Sequence, residues 1–516
     1  MRPDLVSAAR DAFPQDVPAI TLGAVLDGTV THPEPLARIP LTMLNRHGLI
    51  AGATGTGKTK TLQLMAEQCS AAGIPVLVAD VKGDLQGLAA PGTPHPKVDE
   101  RLDATGYRAQ YAATAFPVEF LSLTGKKGAQ LRATVSSFGP MLLAKVLDLN
   151  ETQTSVLAMV FKYCDDHGLL LLDFADLRAV LAWLAGDGAE ELKAYGGMSK
   201  QTVGVLLREM VELEQQGAMA FFGEPEFDLD DLMVVKDGRG LVSVLELQDV
   251  QDKPALWSTF LMWMLARLYA ELPEAGDLDK PKLVFFFDEA HLLFDDASKA
   301  LRDQIEQVVR LIRSKGVGVF FITQSPRDLP AEVLGQLGNR VQHALRAFTP
   351  DDEKALRSAA RTFPKTAFYD VEEVLTTLGI GEALVSTLTQ RGAPTAPFAV
   401  HLVPPASRMG PLSELEFAGA LALSPQVKRY AEALDRESAR EMLEARRAAL
   451  ETAAAVESVA AEAPPAPASA SRAPASRRAE RSTIEKIAAS PLTRAIGTQL
   501  TRTLLGALLG SPRRRR

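Results

Sequence analysis

Eight consecutive residues, Gly52-Ala53-Thr54-Gly55-Thr56-Gly57-Lys58-Thr59, carry the spacing G-x-x-x-x-G-K-[ST], the pattern of a loop that wraps phosphate. Glycines let the backbone bend tightly, so that successive N–H groups converge on an anion. In such a loop Lys58 reaches the β- and γ-phosphates and the Thr59 hydroxyl holds Mg²⁺. ATP and Mg²⁺ are therefore the expected cofactors. A second group lies far along the chain, where Leu283-Val284-Phe285-Phe286-Phe287 runs into Asp288-Glu289. A hydrophobic strand ending in two acids is the Walker B pattern: Asp288 binds Mg²⁺ through water, and Glu289 polarises the water that attacks the γ-phosphate. Two solvated acids at a strand end are common by themselves, and the pair gains its meaning from the phosphate loop in the same chain. A third strand, Val319-Phe320-Phe321-Ile322-Thr323, ends in Gln324, whose amide would lie between Walker B and the γ-phosphate. Arg313 and Lys315 precede it at a helix end, where cations are favourable in any protein.

These groups need rigid carriers. Residues 47–50 read as the strand before the loop and 58–72 as the helix after it, whose N-terminal end faces the same anion. Residues 75–80 form a further apolar strand that ends in the polar run Asp80-Val81-Lys82-Gly83-Asp84, at an edge where ligands bind in open α/β sheets. Strands are also expected at 114–121, 241–247, 282–288 and 317–323, with helices at 255–272 and 297–315. Near-continuous apolar strands alternating with helices predict an α/β fold, a mostly parallel sheet with helices on both faces.

The chain has 516 residues, 47% hydrophobic and 23% charged, ordinary values for a soluble globular protein. Its two cysteines, Cys69 and Cys164, are too few for a disulfide framework and fit a reducing, cytoplasmic setting. Residues 1–14 lack the apolar stretch of a signal peptide, and no apolar run approaches the roughly 18 residues of a membrane span. The net charge of −8 hides an asymmetry: residues 471–516 carry 11 basic and 2 acidic side chains, the preceding 470 carry 45 and 62. An acidic body argues against a surface coated in positive charge for duplex DNA, although a channel can hide a local basic lining.

Residues 1–45 read as a short lead-in with small strands at 19–23 and 29–31. Residues 46–405 read as the core, with a mainly helical insertion at about 100–240. A charged helical extension follows at 406–460, in which Ser424-Pro425 opens one long helix reaching about 455. An Ala/Pro/Ser-rich linker is expected at 461–481. A basic amphipathic tail helix at 482–516 presents Leu492, Ile496, Leu500 and Leu504 on one stripe.

Four stretches, in order, resemble the HerA/FtsK group of P-loop motors: Asn45-Arg46-His47-Gly48-Leu49-Ile50-Ala51-Gly52, Asp80-Val81-Lys82-Gly83-Asp84, Phe287-Asp288-Glu289-Ala290-His291 and Thr323-Gln324-Ser325-Pro326. More closely, the chain resembles bacterial HerA-like proteins of the YjgR type, through Gly139-Pro140-Met141-Leu142-Leu143, Leu149-Asn150-Glu151-Thr152-Gln153 and Gly379-Ile380-Gly381-Glu382-Ala383-Leu384-Val385-Ser386. The resemblance covers roughly 18–405 and, more weakly, the tail. It implies a RecA-like ATPase core, a homo-oligomer in the form of a hexameric ring, and DNA as the track of a translocase or helicase. It also implies that Arg313, at the position matching an arginine before the sensor strand, acts on the neighbouring subunit's nucleotide. A fuller β-barrel precedes the loop in HerA, and about 45 residues leave little room for one. A partner nuclease, or a membrane contact through the basic tail, is a further expectation. Asp288-Glu289-Ala290-His291 also spells the DEAH-box signature, but that class needs a second RecA-like domain with an arginine-rich motif, and only Gln390-Arg391-Gly392 resembles it. Two function classes stay open at this point: a nucleic-acid translocase, and an ATPase switch or assembly motor acting on protein or at a membrane face.

Overall fold

The computed structural model describes residues 4–462, except 277, 295–298, 433 and 435. Residues up to Leu443 form one compact unit; of the second unit, 444–462 are described and are helical. The strands are β1 (Ala19–Asp27), β2 (Val30–Pro40), β3 (Gly48–Ala51), β4 (Val76–Asp80), β5 (Val118–Ser122), β6 (Ala129–Gln130), β7 (Val235–Lys236), β8 (Arg239–Gly240), β9 (Val242–Glu246), β10 (Leu283–Phe287), β11 (Val317–Thr323), β12 (Asn339–His343), β13 (Glu382–Ser386) and β14 (Phe398–Leu402). Twelve form one sheet in the order β2-β1-β14-β13-β12-β3-β11-β10-β4-β9-β5-β6, and β7 with β8 makes a small hairpin. From β12 to β6 every pairing is parallel; β13, β14, β1 and β2 extend the sheet antiparallel. This is the mostly parallel α/β sheet that the alternating apolar strands predict.

The central strands are buried along their whole length because helices cover both faces. Alternation along β10 and β11 sorts the side chains: Phe285, Phe287, Val319 and Phe321 enter one core, Val284, Phe286, Phe320 and Ile322 the other. Phe286 stacks on Phe320 with ring centroids 5.2 Å apart, and Phe287 on Phe321 at 5.7 Å. Such pairs lock the two strands in register, and their C-terminal ends carry Asp288 and Gln324.

The helices are α1 (Leu5–Ala12), α2 (Lys58–Ala71), α3 (Pro96–Thr105), α4 (Val135–Val146), α5 (Glu151–His167), α6 (Phe174–Ala185), α7 (Ala189–Leu192), α8 (Lys200–Gln215), α9 (Pro254–Glu271), α10 (Lys299–Ile312), α11 (Ala331–Leu334), α12 (Pro350–Ala360), α13 (Val371–Thr377), α14 (Glu414–Leu423), α15 (Pro425–Ala431) and α16 (Ala439–Glu462). Helices α4 to α8 make up most of the segment between β6 and the hairpin, and their apolar sides join α9 and α10 in the larger core. Asn150 and Gln153 form a reciprocal cap on α5, and Asp173 and Asp176 one on α6, each satisfying N–H groups that the helix cannot.

Three local differences separate the elements from the sequence expectations. The small strands at 19–23 and 29–31 are parts of nine- and eleven-residue strands that pair across a turn and dock on β14. Prolines at 33 and 35 disguise β2, but it is an edge strand, where a missing N–H is tolerated. The strand expected at 114–121 begins only at Val118. The long helix from Ser424 is broken: Ser424 caps α15 through Val427 N, α15 stops at Ala431, and α16 starts afresh at Ala439. The break is set by a second cap, in which Ser438 N donates to Glu441 Oε2 and Glu441 N to Ser438 Oγ. The linker from 463 onward and the tail stripe Leu492 to Leu504 lie outside the described residues.

Candidate active site

Strand β3 lies between β11 and β12, with Thr323 opposite Ala51 and Phe320 opposite Gly48. It delivers the chain to the loop at the C-terminal edge of the sheet. Gly52 has φ 150°, and a Cβ there would lie 2.5 Å from His343 Cβ, so a side chain is excluded by both backbone and neighbour. Gly57 has φ 113° and ends the loop as the N-cap of α2 without any side-chain cap. The first turn of α2 therefore keeps N–H groups for an anion. The loop is braced from outside by neighbouring strands: Ala53 N donates to Ala344 O (2.9 Å) and Gly381 N to Thr56 O (3.0 Å). Thr61 Oγ1 pairs with His343 Nε2 at 2.9 Å, and burial followed by the Lys58 charge pushes that imidazole down to about 4.

Lys58 Nζ folds back over the loop and donates to Gly52 O at 2.7 Å and Ala53 O at 3.2 Å. Burial lowers its pKa, while the carboxylates of Glu289 and Asp288 act in the opposite direction. One lysine thus feels both acids from 230 residues away. Thr59 follows it in the first helical turn, half-buried. Asp288 is buried at the end of β10 and accepts from Glu289 N at 3.0 Å. Burial, then the adjoining Glu289 charge, raises its carboxyl to about 6.

Glu289 is buried and has φ 48° and ψ 48°. For a non-glycine residue this left-handed geometry costs on the order of 1–3 kcal/mol, and it is held by the helical turn Ala290–Leu293 that starts here. Lys82 Nζ meets Glu289 Oε1 at 2.5 Å, and His291 Nδ1 lies 3.5 Å from Oε2. Burial alone would raise the Glu289 carboxyl; the Lys82 hydrogen bond and charge, with His291 and Lys58, outweigh it and hold the group below its usual value. Oε2 is buried and accepts no hydrogen bond.

Lys82 is presented by a loop that Asp80 organises. Asp80 Oδ1 accepts from the N–H groups of Lys82, Gly83 and Asp84, and Oδ2 from Leu85. Gln248 Nε2 ties down Lys82 O at 2.7 Å. The polar run at 80–84 therefore meets the acids directly, and Lys82 is the member that touches them. Sequence reading marked the run without a role for this lysine; a cation two residues past a strand-end aspartate was the available signal. Nothing in the local sequence pointed to His343, and Gly381 lay in the resembling stretch 379–386 without a role; both reach the loop through the sheet order.

Gln324 is exposed just beyond β11, beside the loop by virtue of the Thr323–Ala51 register. The next turn is fixed by Asp328, which accepts from Thr323 Oγ1 and Ser325 N. Arg313 lies elsewhere. It opens the turn Arg313–Lys315 that precedes β11, and its charge acts on buried His47, the residue before β3. Both lie at the N-terminal edge of the sheet, opposite the loop. Of the other arginines nearby, Arg340 donates to the carbonyls of Leu334, Leu337 and Thr362, and Arg346 to Thr376 O.

Among the described residues, no three His, Cys, Asp or Glu side chains gather into a site able to hold an ion by themselves. The donor set at the loop is one hydroxyl and a buried acid pair. That set suits a hard divalent ion sharing phosphate oxygens, since Mg²⁺ is usually held by one or two carboxylates plus a substrate's phosphates.

The sequence matches the family described as Helicase HerA-like C-terminal over residues 28–516. "Probable helicase MJECL08" of Methanocaldococcus jannaschii is 30% identical over 154 residues, 28% of each chain. "DNA double-strand break repair helicase HerA" of Sulfolobus acidocaldarius is 21% identical over 359 residues, 67% of this chain and 63% of that one. The matches thus span 28% and 63% of those relatives' own lengths. Among solved structures, the bacterial conjugative coupling protein TrwBdeltaN70 is 13% identical with a TM-score of 0.49, over 78% of this chain and 93% of that one.

Proposed function

We infer, for a chain that belongs to the HerA-like helicase C-terminal family, an ATP-hydrolysing P-loop motor that moves along DNA. The observation that carries the ATP-hydrolysing part is the convergence of Lys58, Asp288 and Glu289 at one edge of the sheet; movement along DNA is inferred from the family. In this reading the N–H groups of 52–59 and the Lys58 ammonium hold the triphosphate. Thr59 and Asp288 hold Mg²⁺, which when bound neutralises charge on the phosphate oxygens. Glu289, kept ionised by Lys82, orients the attacking water and accepts hydrogen bonds from it. Gln324, exposed just beyond β11 next to the strand that leads into the loop, would contact the γ-phosphate.

The assembly is proposed to be a homo-oligomeric ring, because Arg313 and Gln324 occupy opposite edges of one sheet and a ring brings one subunit's Arg313 edge to the next subunit's loop. Two buried, unpaired cysteines suit a cytoplasmic location. Among the described residues no helix is long and apolar enough to cross a membrane.

The test is ATPase activity of a sized oligomer with and without DNA. A DNA-dependent rise in rate, absent in Lys58→Ala, supports the motor. ATP hydrolysis indifferent to DNA of every form tried would move the protein to the class of switches or assembly motors that act on other proteins.

A further inference from the structure

The edge of the sheet that carries Asp288 continues across its neighbours. Phe287 lies opposite Ala79, and Asp80 and Ser122 both lie opposite Glu246, so the loops after β10, β4, β9 and β5 share one edge. The loop after β5, at 123–128, holds Lys126 and Lys127 side by side. Three strand spacings, about 14 Å, separate β5 from β10. We propose that this lysine loop binds phosphates of the DNA backbone, and that Gln248 and Lys82 are positioning residues that carry its occupancy to Glu289. The proposal rests on the motor reading above and gives the track a point of contact.

Hydrogen bonds join the loop to the acid without a gap. Lys127 Nζ donates to Gln248 Oε1, Gln248 Nε2 donates to Lys82 O (2.7 Å), and Lys82 Nζ donates to Glu289 Oε1 (2.5 Å). Gln251 Nε2 donates to Val81 O, so two glutamines beyond β9 hold the backbone that presents Lys82. The Gln248 amide packs against Gly83, where any Cβ would overlap Nε2. A rotation of that amide is therefore felt by the turn that carries Lys82.

The charges at the loop suit an anion. Lys126 is exposed, and among the described residues no hydrogen bond or ion pair engages its ammonium. Lys127 is half-buried, and the group it donates to is a neutral amide. Its charge acts on buried Glu246, but burial raises that carboxyl to about 7, which weakens it as a standing counter-charge. A phosphate is an ionised acceptor, and its hydrogen bonds are roughly twice as strong as neutral ones. It therefore draws Lys127 away from Gln248. The released amide loosens its hold on Lys82 O, and Lys82 withdraws from Glu289 Oε1. While that ammonium is bonded, the carboxylate stays charged with one oxygen occupied; once it leaves, both oxygens are open to the attacking water. Fast hydrolysis then depends on the track being bound.

The experiment uses the full chain, a labelled duplex oligonucleotide, and ATPase rates without DNA and at saturating DNA. Lys126→Gln combined with Lys127→Gln keeps polar side chains and removes two charges. Gln248→Met keeps the side-chain length over Gly83 and makes neither bond. The double variant is expected to bind DNA more weakly and to lower the slope of log affinity against log salt by about 1.8. Lys126→Gln alone, at an exposed position that packing does not depend on, is expected to lower it by about 0.9. Gln248→Met is expected to bind DNA as the intact chain does and to lose most of the DNA-dependent rise in rate. An unchanged slope in both charge variants, or a full rise in rate in Gln248→Met, overturns the proposal. If the intact chain responds to DNA and the variants match it, this proposal alone fails. If the intact chain neither binds DNA nor responds to it, the motor reading fails with it.

Discussion

Replacing Arg313 with alanine is expected to abolish most ATP turnover by removing a group from the neighbouring subunit's site. Strand β11 separates Arg313 from the nucleotide edge by seven residues, Val317–Thr323. At about 3.3 Å per residue that is roughly 20 Å, far beyond the reach of one arginine side chain. Arg313 therefore cannot reach its own subunit's loop, so any contribution it makes to catalysis has to cross an interface. A guanidinium that neutralises charge on a transferring phosphoryl group is worth about 10³–10⁵ in rate, or about 4–7 kcal/mol. The decisive assay mixes Arg313→Ala with Glu289→Gln subunits, each inactive alone. In a head-to-tail ring an interface works when an intact Glu289 faces an intact Arg313. Random equal mixing supplies that combination at about a quarter of interfaces, so about a quarter of the wild-type rate is the expected recovery. Full activity of Arg313→Ala alone removes the residue from the mechanism. Absence of recovery, in rings shown to be mixed by mass, refutes action in trans.

Other expectations follow from the same geometry. Lys58→Ala should lose ATP binding or hydrolysis with little change in melting temperature, since among the described residues its ammonium donates only to Gly52 O and Ala53 O; normal turnover would sink the site assignment. Glu289→Gln should bind ATP and fail to cleave it, because Asp288 remains, and loss of binding would contradict the division of roles. Gly52→Ala should cost about 1–3 kcal/mol of stability together with ATP affinity, because its Cβ would meet His343; a thermal melt and an ATP titration check both, and a wild-type result in each disproves the steric account. Burial raises the Glu67 carboxyl from 4.5 to about 7 against the pull of three donors, Ala406 N, Ser407 N and Ser407 Oγ. A folded-state value above the unfolded one means that its contribution is full below about pH 4.5 and fades as pH rises through about 7, by about 3 kcal/mol in all. Glu67→Gln should flatten the dependence of unfolding free energy on pH in that window; an unaltered slope would show that Glu67 is not its source.

Local signals determined much of this protein. The loop 52–59, the acids at 288–289 and the strand running to Gln324 were legible because each is a contiguous pattern with its own chemistry, and the apolar strands announced a covered parallel sheet. What the sequence could not state is adjacency between distant segments. Lys82 and Glu289 are 207 positions apart and meet because β4 and β10 are neighbours in the sheet. His343 and Gly381 brace the loop because β12 pairs with β3 and β13 with β12. The segment at 404–409 crosses α2 because Glu67 and Gln63 hold it there. The N-terminal strands looked minor because prolines and charge obscure β2; only the antiparallel edge formed by β13 and β14 made them part of the same sheet. Strand order is a property of packed faces and paired backbones, and those pairings are decided between segments far apart in the chain. Residue type and spacing therefore named the chemical groups, while the sheet order decided which of them touch.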